Sequence, residues 1–196
     1  MTTPLFLDES LLLGRGALRS TYRHPHTPNK CVKIVNMPNR HFRRENPNVR
    51  ELRGYYDVKK RLPPHSRYLS DVYGLIDTNF GEGLEVENIN PSGRPMFNLK
   101  KFKKHGKDGL PDQIHIEGIL LQIDQMCSDI RNIRLNNHCF SLESIVFVER
   151  ECGYMMHLID YKTPSFAPLS VNYWFCHFYK TKMLKNVRSK LEKCFT

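Results

Sequence analysis

Between Leu12 and Asn36 the chain alternates short apolar runs with turn formers, and the order in which they come leaves few folds open. Leu12 and Leu13 lead into Gly14 and Gly16. A run containing Thr21 and Tyr22 follows, then a turn carrying Pro25 and Pro28, and then Cys31-Val-Lys-Ile-Val35. Two runs around glycines read as a β-hairpin, and the third as a strand whose central lysine, Lys33, points to one face. Taken alone, this is also what a plain hairpin looks like when a lysine snorkels from a strand edge. A lone Gly-x-Gly is a weak signal. What strengthens it lies further along, at Glu51.

Residues 37–48 are basic and rich in turn formers, so they read as a loop. Asn46-Pro47 then announces a helix, with Asn as N-cap and Pro in the first helical position. The helix is expected to run to about Leu62, where Pro63-Pro64 stops it. Val49, Leu52 and Tyr56 share one face at helical spacing. Glu51 falls in the first turn, where a carboxylate suits the helix dipole, and it follows Lys33 by 18 positions, one strand and one loop later. With Gly14, Gly16 and Lys33 in that order, an ion pair between Lys33 and Glu51 is favoured over a solvated glutamate.

Residues 68–78 and 84–89 are strand-like around a turn at 79–83, which completes a five-stranded antiparallel sheet carrying one helix over residues 1–89. Residues 90–95 form a linker to a second, mainly helical part, residues 90–196. There Lys100–Lys107 is a basic run, read as a solvated loop or as a contact for a phosphate-rich partner. The helix expected over 112–135 is the strongest in the chain. Asp112 can cap it, and Ile116, Ile119, Ile123, Met126, Ile130 and Ile133 repeat as a core stripe. Two strand-like runs follow, 144–148 and 154–159, the second ending in Asp160. A basic amphipathic helix over 171–194 closes the chain, read as docked on the core or as a membrane-surface or partner contact.

The hydrophobic share of 40% suffices for a core, and the formal charge of +10 over 196 residues favours an anionic partner without choosing among nucleotide, nucleic acid and membrane surface. Six cysteines are scattered with no Cys-x-x-Cys, so neither a disulfide framework nor a zinc motif is indicated. His24 with His26, and His138 with Cys139, have no second ligand pair at zinc spacing. Neither a secretory signal nor a membrane-spanning run is evident, so a cytoplasmic location is expected.

The run Leu-Gly-Arg-Gly-x-x-Arg-x-x-Tyr-x-His-Pro, followed by Cys-Val-Lys-Ile-Val, Arg-Glu-Leu-Arg-x-Tyr-Tyr, Tyr-Gly-Leu-Ile-Asp-Thr-Asn-Phe-Gly-x-Gly-Leu and Ile-Asp-Tyr, resembles the YrbL family of bacterial PhoP regulatory network proteins. The resemblance extends from about Leu12 to Lys190 and is most specific in the first half. That family is grouped with protein-kinase-like folds. The resemblance therefore implies an α+β, minimal protein-kinase-like fold of two lobes: a five-stranded antiparallel N-lobe sheet with one helix, and a mainly helical C-lobe. Gly14 and Gly16 would form the nucleotide loop, with Arg19 where a kinase has a third glycine. Lys33 would bind phosphates with Glu51 as its partner, and Glu85 and Glu87 would lead into the interlobe hinge. Asp160 would hold Mg²⁺, followed by Tyr161-Lys162 where kinases have Phe-Gly.

The catalytic loop departs from the kinase pattern. The segment from Asn137 to Val146 has neither an Asp nor a further Asn. Depending on the alignment, the base position falls on Ser141 or Cys139; Glu143 and His138 are the nearby titratable groups. The expectation is a degenerate, pseudokinase-type regulatory protein that binds ATP in the interlobe cleft, with Mg²⁺. One alternative is an active small kinase or phosphotransferase acting on a protein, a small molecule or an envelope sugar. The other is a basic module for nucleic acid or an anionic membrane surface.

Overall fold

The computed structural model describes residues 3–36, 46–64, 66, 68–105, 116–132, 142–161, 186, 188 and 189. The chain divides into two compact units, Met1–Tyr56 with Ser70–Gly93, and Asp57–Leu69 with Arg94–Thr196.

The first unit is built on a five-stranded antiparallel sheet. Its strands are β1 (Leu12–Arg15), β2 (Arg19–Arg23), β3 (Lys30–Val35), β4 (Val72–Thr78) and β5 (Gly81–Glu87), in the order β1-β2-β3-β5-β4. The β3 strand is central, and its Lys33 lies between Thr21 of β2 and Leu84 of β5. Side chains alternate across a sheet. Tyr22, Val32 and Ile34 therefore fall on one face, where they pack with Leu7 of the N-terminal segment, and Leu5, Leu11, Leu12 and Ile76 flank that cluster. Arg19, Thr21, Cys31 and Lys33 fall on the other.

The β4–β5 turn is tighter than the sequence pattern suggests. β5 starts at Gly81, so only Asn79 and Phe80 connect the strands. Gly81 takes φ 94°, a left-handed conformation that glycine adopts at little cost. Gly83 is a strand residue rather than a turn residue. A Cβ there would come within 2.6 Å of Val32 Cγ1 and 2.9 Å of Ile34 Cδ1, so its role is close packing.

The α-helix that accompanies this sheet among the described residues, α1 (Pro47–Lys59), begins where the Asn-Pro pair places it. Asn46 Oδ1 accepts the Asn48 N–H at 2.8 Å, which satisfies one of the unpaired donors of the first turn. The buried face differs from the expected one. Asn48, Glu51, Tyr55 and Val58 are buried, whereas Tyr56 is 49% exposed. The helix therefore turns mostly polar side chains inward. Apolar periodicity marks Val49, Leu52 and Tyr56, because it does not register a buried carboxylate that has partners.

The second unit carries a three-stranded antiparallel sheet in the order β6-β7-β8: β6 (Met96–Asn98), β7 (Ile145–Arg150) and β8 (Gly153–Leu158). The last two match the strand-like runs of the sequence, and β6 is a short addition. Asn98 Oδ1 accepts the Lys101 N–H at 2.8 Å and so starts α2 (Leu99–His105). Most of the basic run read as a loop is this helix. Ile119, Ile123 and Met126 of α3 (Ile116–Asn132) are buried as the stripe predicts. Gln122 of the same helix binds the outer edge of β8, donating to the Tyr154 carbonyl at 2.8 Å and accepting from the Met156 N–H at 2.7 Å. Phe97 stacks on Phe147 with ring centroids 5.0 Å apart. Asp112 lies outside the described residues. So does the expected C-terminal helix, except for Asn186, Arg188 and Ser189, which are helical. Among the described residues no helix is long and apolar enough to cross a membrane.

Candidate functional site

Strand alternation and the first turn of α1 bring four side chains of the first unit together. Lys33 Nζ donates to Glu51 Oε1 at 2.8 Å, with side-chain exposures of 10% and 3%. The other carboxylate oxygen, Oε2, lies against Nη1 of Arg19. Asn48, one helical turn before Glu51, ties this group to the sheet. Its Nδ2 donates to the Lys33 carbonyl at 3.1 Å and the Glu82 carbonyl at 3.4 Å, and its Oδ1 accepts from Arg19 Nη1 at 3.4 Å. Further along α1, the Tyr55 hydroxyl donates to Asp71 Oδ1 at 2.5 Å. The inward face of α1 is thus held by hydrogen bonds and charge, as buried polar groups require.

The glycine hairpin adjoins this group through Arg19. The Gly16 N–H donates to the Arg19 carbonyl at 2.8 Å, and Asn36 N–H to the Leu18 carbonyl at 2.9 Å. Asn36 also pins the turn with its side chain. Its Nδ2 donates to the Gly16 carbonyl at 2.8 Å, and its Oδ1 accepts from the Ser20 hydroxyl at 2.6 Å. A Cβ on Gly14 would meet nothing within 4 Å.

Of the residues expected to bind nucleotide, Lys33 and Glu51 are in contact, and Gly16 is one turn away from Arg19. Glu85 is placed elsewhere. It pairs across from Val32, on the face opposite Lys33, and its carboxylate meets Lys30 Nζ at 2.9 Å and His24 Nε2 at 3.4 Å. Burial lowers the pKa of His24; Glu85 works against that shift and Lys30 adds to it. Glu87 Oε2 accepts the Asp71 N–H at 3.0 Å. Both glutamates thus make structural contacts at the end of β5.

In the second unit Asp160 follows β8 with φ 58°. It is the single described non-glycine residue at positive φ, a conformation that costs energy and collects at functional positions. The next residue, Tyr161, is buried, and its hydroxyl donates to the Leu158 carbonyl at 2.5 Å. Glu143 is exposed and ion-paired with Lys100. Ser141, His138 and Cys139 lie outside the described residues. Among the described residues no three His, Cys, Asp or Glu side chains gather as metal ligands.

Arg19 and Asn48 belong to this site but not to the set expected from the sequence. Arg19 stands where a kinase nucleotide loop has its third glycine. Its even spacing from Thr21, the cross-strand neighbour of Lys33, is the signal that would have found it. Asn48 precedes Glu51 by three positions, the spacing of one helix face.

Residues 5–139 match the family described as PhoP regulatory network protein YrbL. This chain belongs to that family. Its relatives include the YrbL proteins of Escherichia coli and Shigella flexneri, each 26% identical over 137 residues, a match covering 69% of this chain and 60% of each relative. The chain therefore spans less than two thirds of the length of these family members. A crystal structure of the Mycobacterium tuberculosis PknI kinase domain is similar to it with a TM-score of 0.47 and 13% identity, covering 79% of this chain and 59% of that one.

Proposed function

We propose that this family member is a kinase-like regulatory protein of pseudokinase type, which binds ATP at Lys33 and transfers phosphate weakly or not at all. The observation that carries this reading is the buried Lys33–Glu51 pair at 2.8 Å, next to a glycine hairpin. Burying two opposite charges costs desolvation that their attraction need not recover, and an apolar pair of similar volume is often as stable. The pair makes sense where the lysine has a ligand to meet. Glu51 then holds the ammonium in place for phosphate oxygens, as in kinase-type phosphate binding. Gly14 fits the same reading, because the fold itself leaves room for a side chain there. A glycine the protein does not need for packing suits the close approach of a ligand to backbone.

Asp160 is the residue that would hold Mg²⁺. A single carboxylate is a usual protein contribution to Mg²⁺, with phosphates and water supplying the rest. A cytoplasmic setting with free ATP would suit this role. The Asn137–Val146 segment offers no Asp base and no second metal-binding Asn, which is the reason for expecting weak transfer.

Thermal unfolding with and without ATP and Mg²⁺ tests this. At a hundredfold excess over Kd, ATP should stabilise the wild type by about 2.7 kcal/mol, or roughly 5–10 °C in Tm. In Lys33→Met the ATP-induced shift should disappear, whatever the Tm of the free variant. Equal shifts in both proteins, or none in the wild type, would overturn the reading.

A further inference from the structure

We infer that Arg19 is a second phosphate-binding cation of the Lys33 site and makes polyphosphate binding there independent of divalent metal. The inference rests on the nucleotide reading for its ligand, but on Arg19 for its content. Position 19 is where a kinase nucleotide loop would have its third glycine. Here it carries a guanidinium that reaches the same carboxylate as Lys33: Lys33 Nζ holds Oε1 of Glu51, and Arg19 Nη1 meets Oε2. The two cations are therefore one carboxylate apart, on the same face of adjacent strands, and the Arg19 side chain is 16% exposed.

Asn48 fixes the arrangement. It accepts from Arg19 and donates to the Lys33 backbone, so both cations are referred to one buried side chain. A guanidinium presents planar, paired donors that match phosphate oxygens, and it stays charged at any physiological pH. Metal ligation changes in the opposite sense. After Asn137 the segment to Val146 has no Asn, so the second metal-binding Asn of the kinase pattern has no counterpart there. With two cations gathered on one carboxylate, the Lys33 site should rely on protein charge to neutralise phosphate. No covalent step is involved.

Isothermal titration of the full chain with ATP, in EDTA and in Mg²⁺, tests this on wild type, Arg19→Gly and Arg19→Lys, each checked for folding by circular dichroism. Inorganic pyrophosphate in EDTA is the second probe. The wild type should bind ATP about equally well in both conditions. Arg19→Gly should lose at least about tenfold affinity in EDTA, the size expected for one charge-assisted phosphate contact, and less in Mg²⁺. Arg19→Lys, with the charge but without the fork, should recover part of the loss.

Binding of ATP only with Mg²⁺, in wild type and Arg19→Gly alike, would overturn the inference and leave the nucleotide reading standing. Tighter binding by Arg19→Gly would also overturn it, by showing that the side chain blocks the site. If ATP fails to bind but pyrophosphate binds in EDTA and needs Arg19, the anion site stands and the nucleotide reading falls. Failure of both probes would end both.

Discussion

At the scale of single residues, two arrangements of buried polar groups contrast among the described residues. Lys33, Glu51, Arg19 and Asn48 pair with one another across three elements, and charge and hydrogen bonds offset part of their cost of burial. Two of the four were legible in the sequence, because a lysine inside an apolar strand and a glutamate in a first helical turn each stand out. Arg19 and Asn48 were not, because a polar residue at a strand start or a helix start has many ordinary explanations. His157 is the contrasting case. It is buried, with Arg150 Nη2 3.4 Å from its Nε2. Burial, aided by the Arg150 charge, lowers its pKa to about 4. The folded state thus keeps the imidazole neutral where the unfolded chain, titrating near 6.5, takes up a proton. Its contribution is fully present above pH 6.5 and is lost as pH falls through the folded value near 4. Burial of His24 shifts its pKa in the same direction. The wild type should therefore be on the order of 1–2 kcal/mol less stable at pH 5 than at pH 7 through His157. Urea titrations at the two pH values measure this, and His157→Gln should reduce the difference; an unchanged difference would refute the assignment.

Among the elements, those with an unambiguous start or period were readable from sequence: β3, the beginning of α1, the stripe of α3, and β7 with β8. The exceptions share a physical cause. In α1 the buried face is set by ion pairs and hydrogen bonds, which apolar periodicity does not detect. Met96–Asn98 is too short for a period, and it is a strand because β7 pairs with it. The basic run after it is helical in part because Asn98 caps it, and four lysines among its residues hid a helical signal behind their charge. The glycines of the first unit give a sharper test. In β5, a Cβ on Gly83 would collide with Val32 and Ile34, so Gly83→Ala should destabilise the protein by about 1–3 kcal/mol through overpacking. In β1, Gly14→Ala meets open space and should change stability by less than about 0.5 kcal/mol, yet weaken ATP binding. Chemical denaturation and ATP titration of the two variants separate these roles. A strongly destabilised Gly14→Ala, or one that binds ATP as the wild type does, would remove the argument that this glycine serves a ligand.

For the whole molecule, the division into two units separates the groups proposed for binding from those proposed for chemistry. Lys33, Glu51 and Arg19 belong to the first unit, and Asp160 and the segment lacking a base belong to the second. Binding and transfer should therefore be separable by mutation. A positioned base contributes about 10²–10⁴ in rate, and kinases typically turn over at about 1–100 per second. Phosphoryl transfer depends mainly on positioning and charge, so loss of the base leaves a residue of activity rather than none. ATP turnover by the wild type should then fall below about 1 per second. Asp160→Asn should abolish the Mg²⁺-dependent remainder while ATP binding at Lys33 persists, and Lys33→Met should lose both. A release assay for labelled phosphate, run beside ATP titrations, distinguishes the three proteins. Wild-type turnover within the ordinary kinase range would mean that the chain does supply a base. In that case Ser141, His138 and Glu143 would be the first to substitute, and the pseudokinase reading would give way to that of a working phosphotransferase.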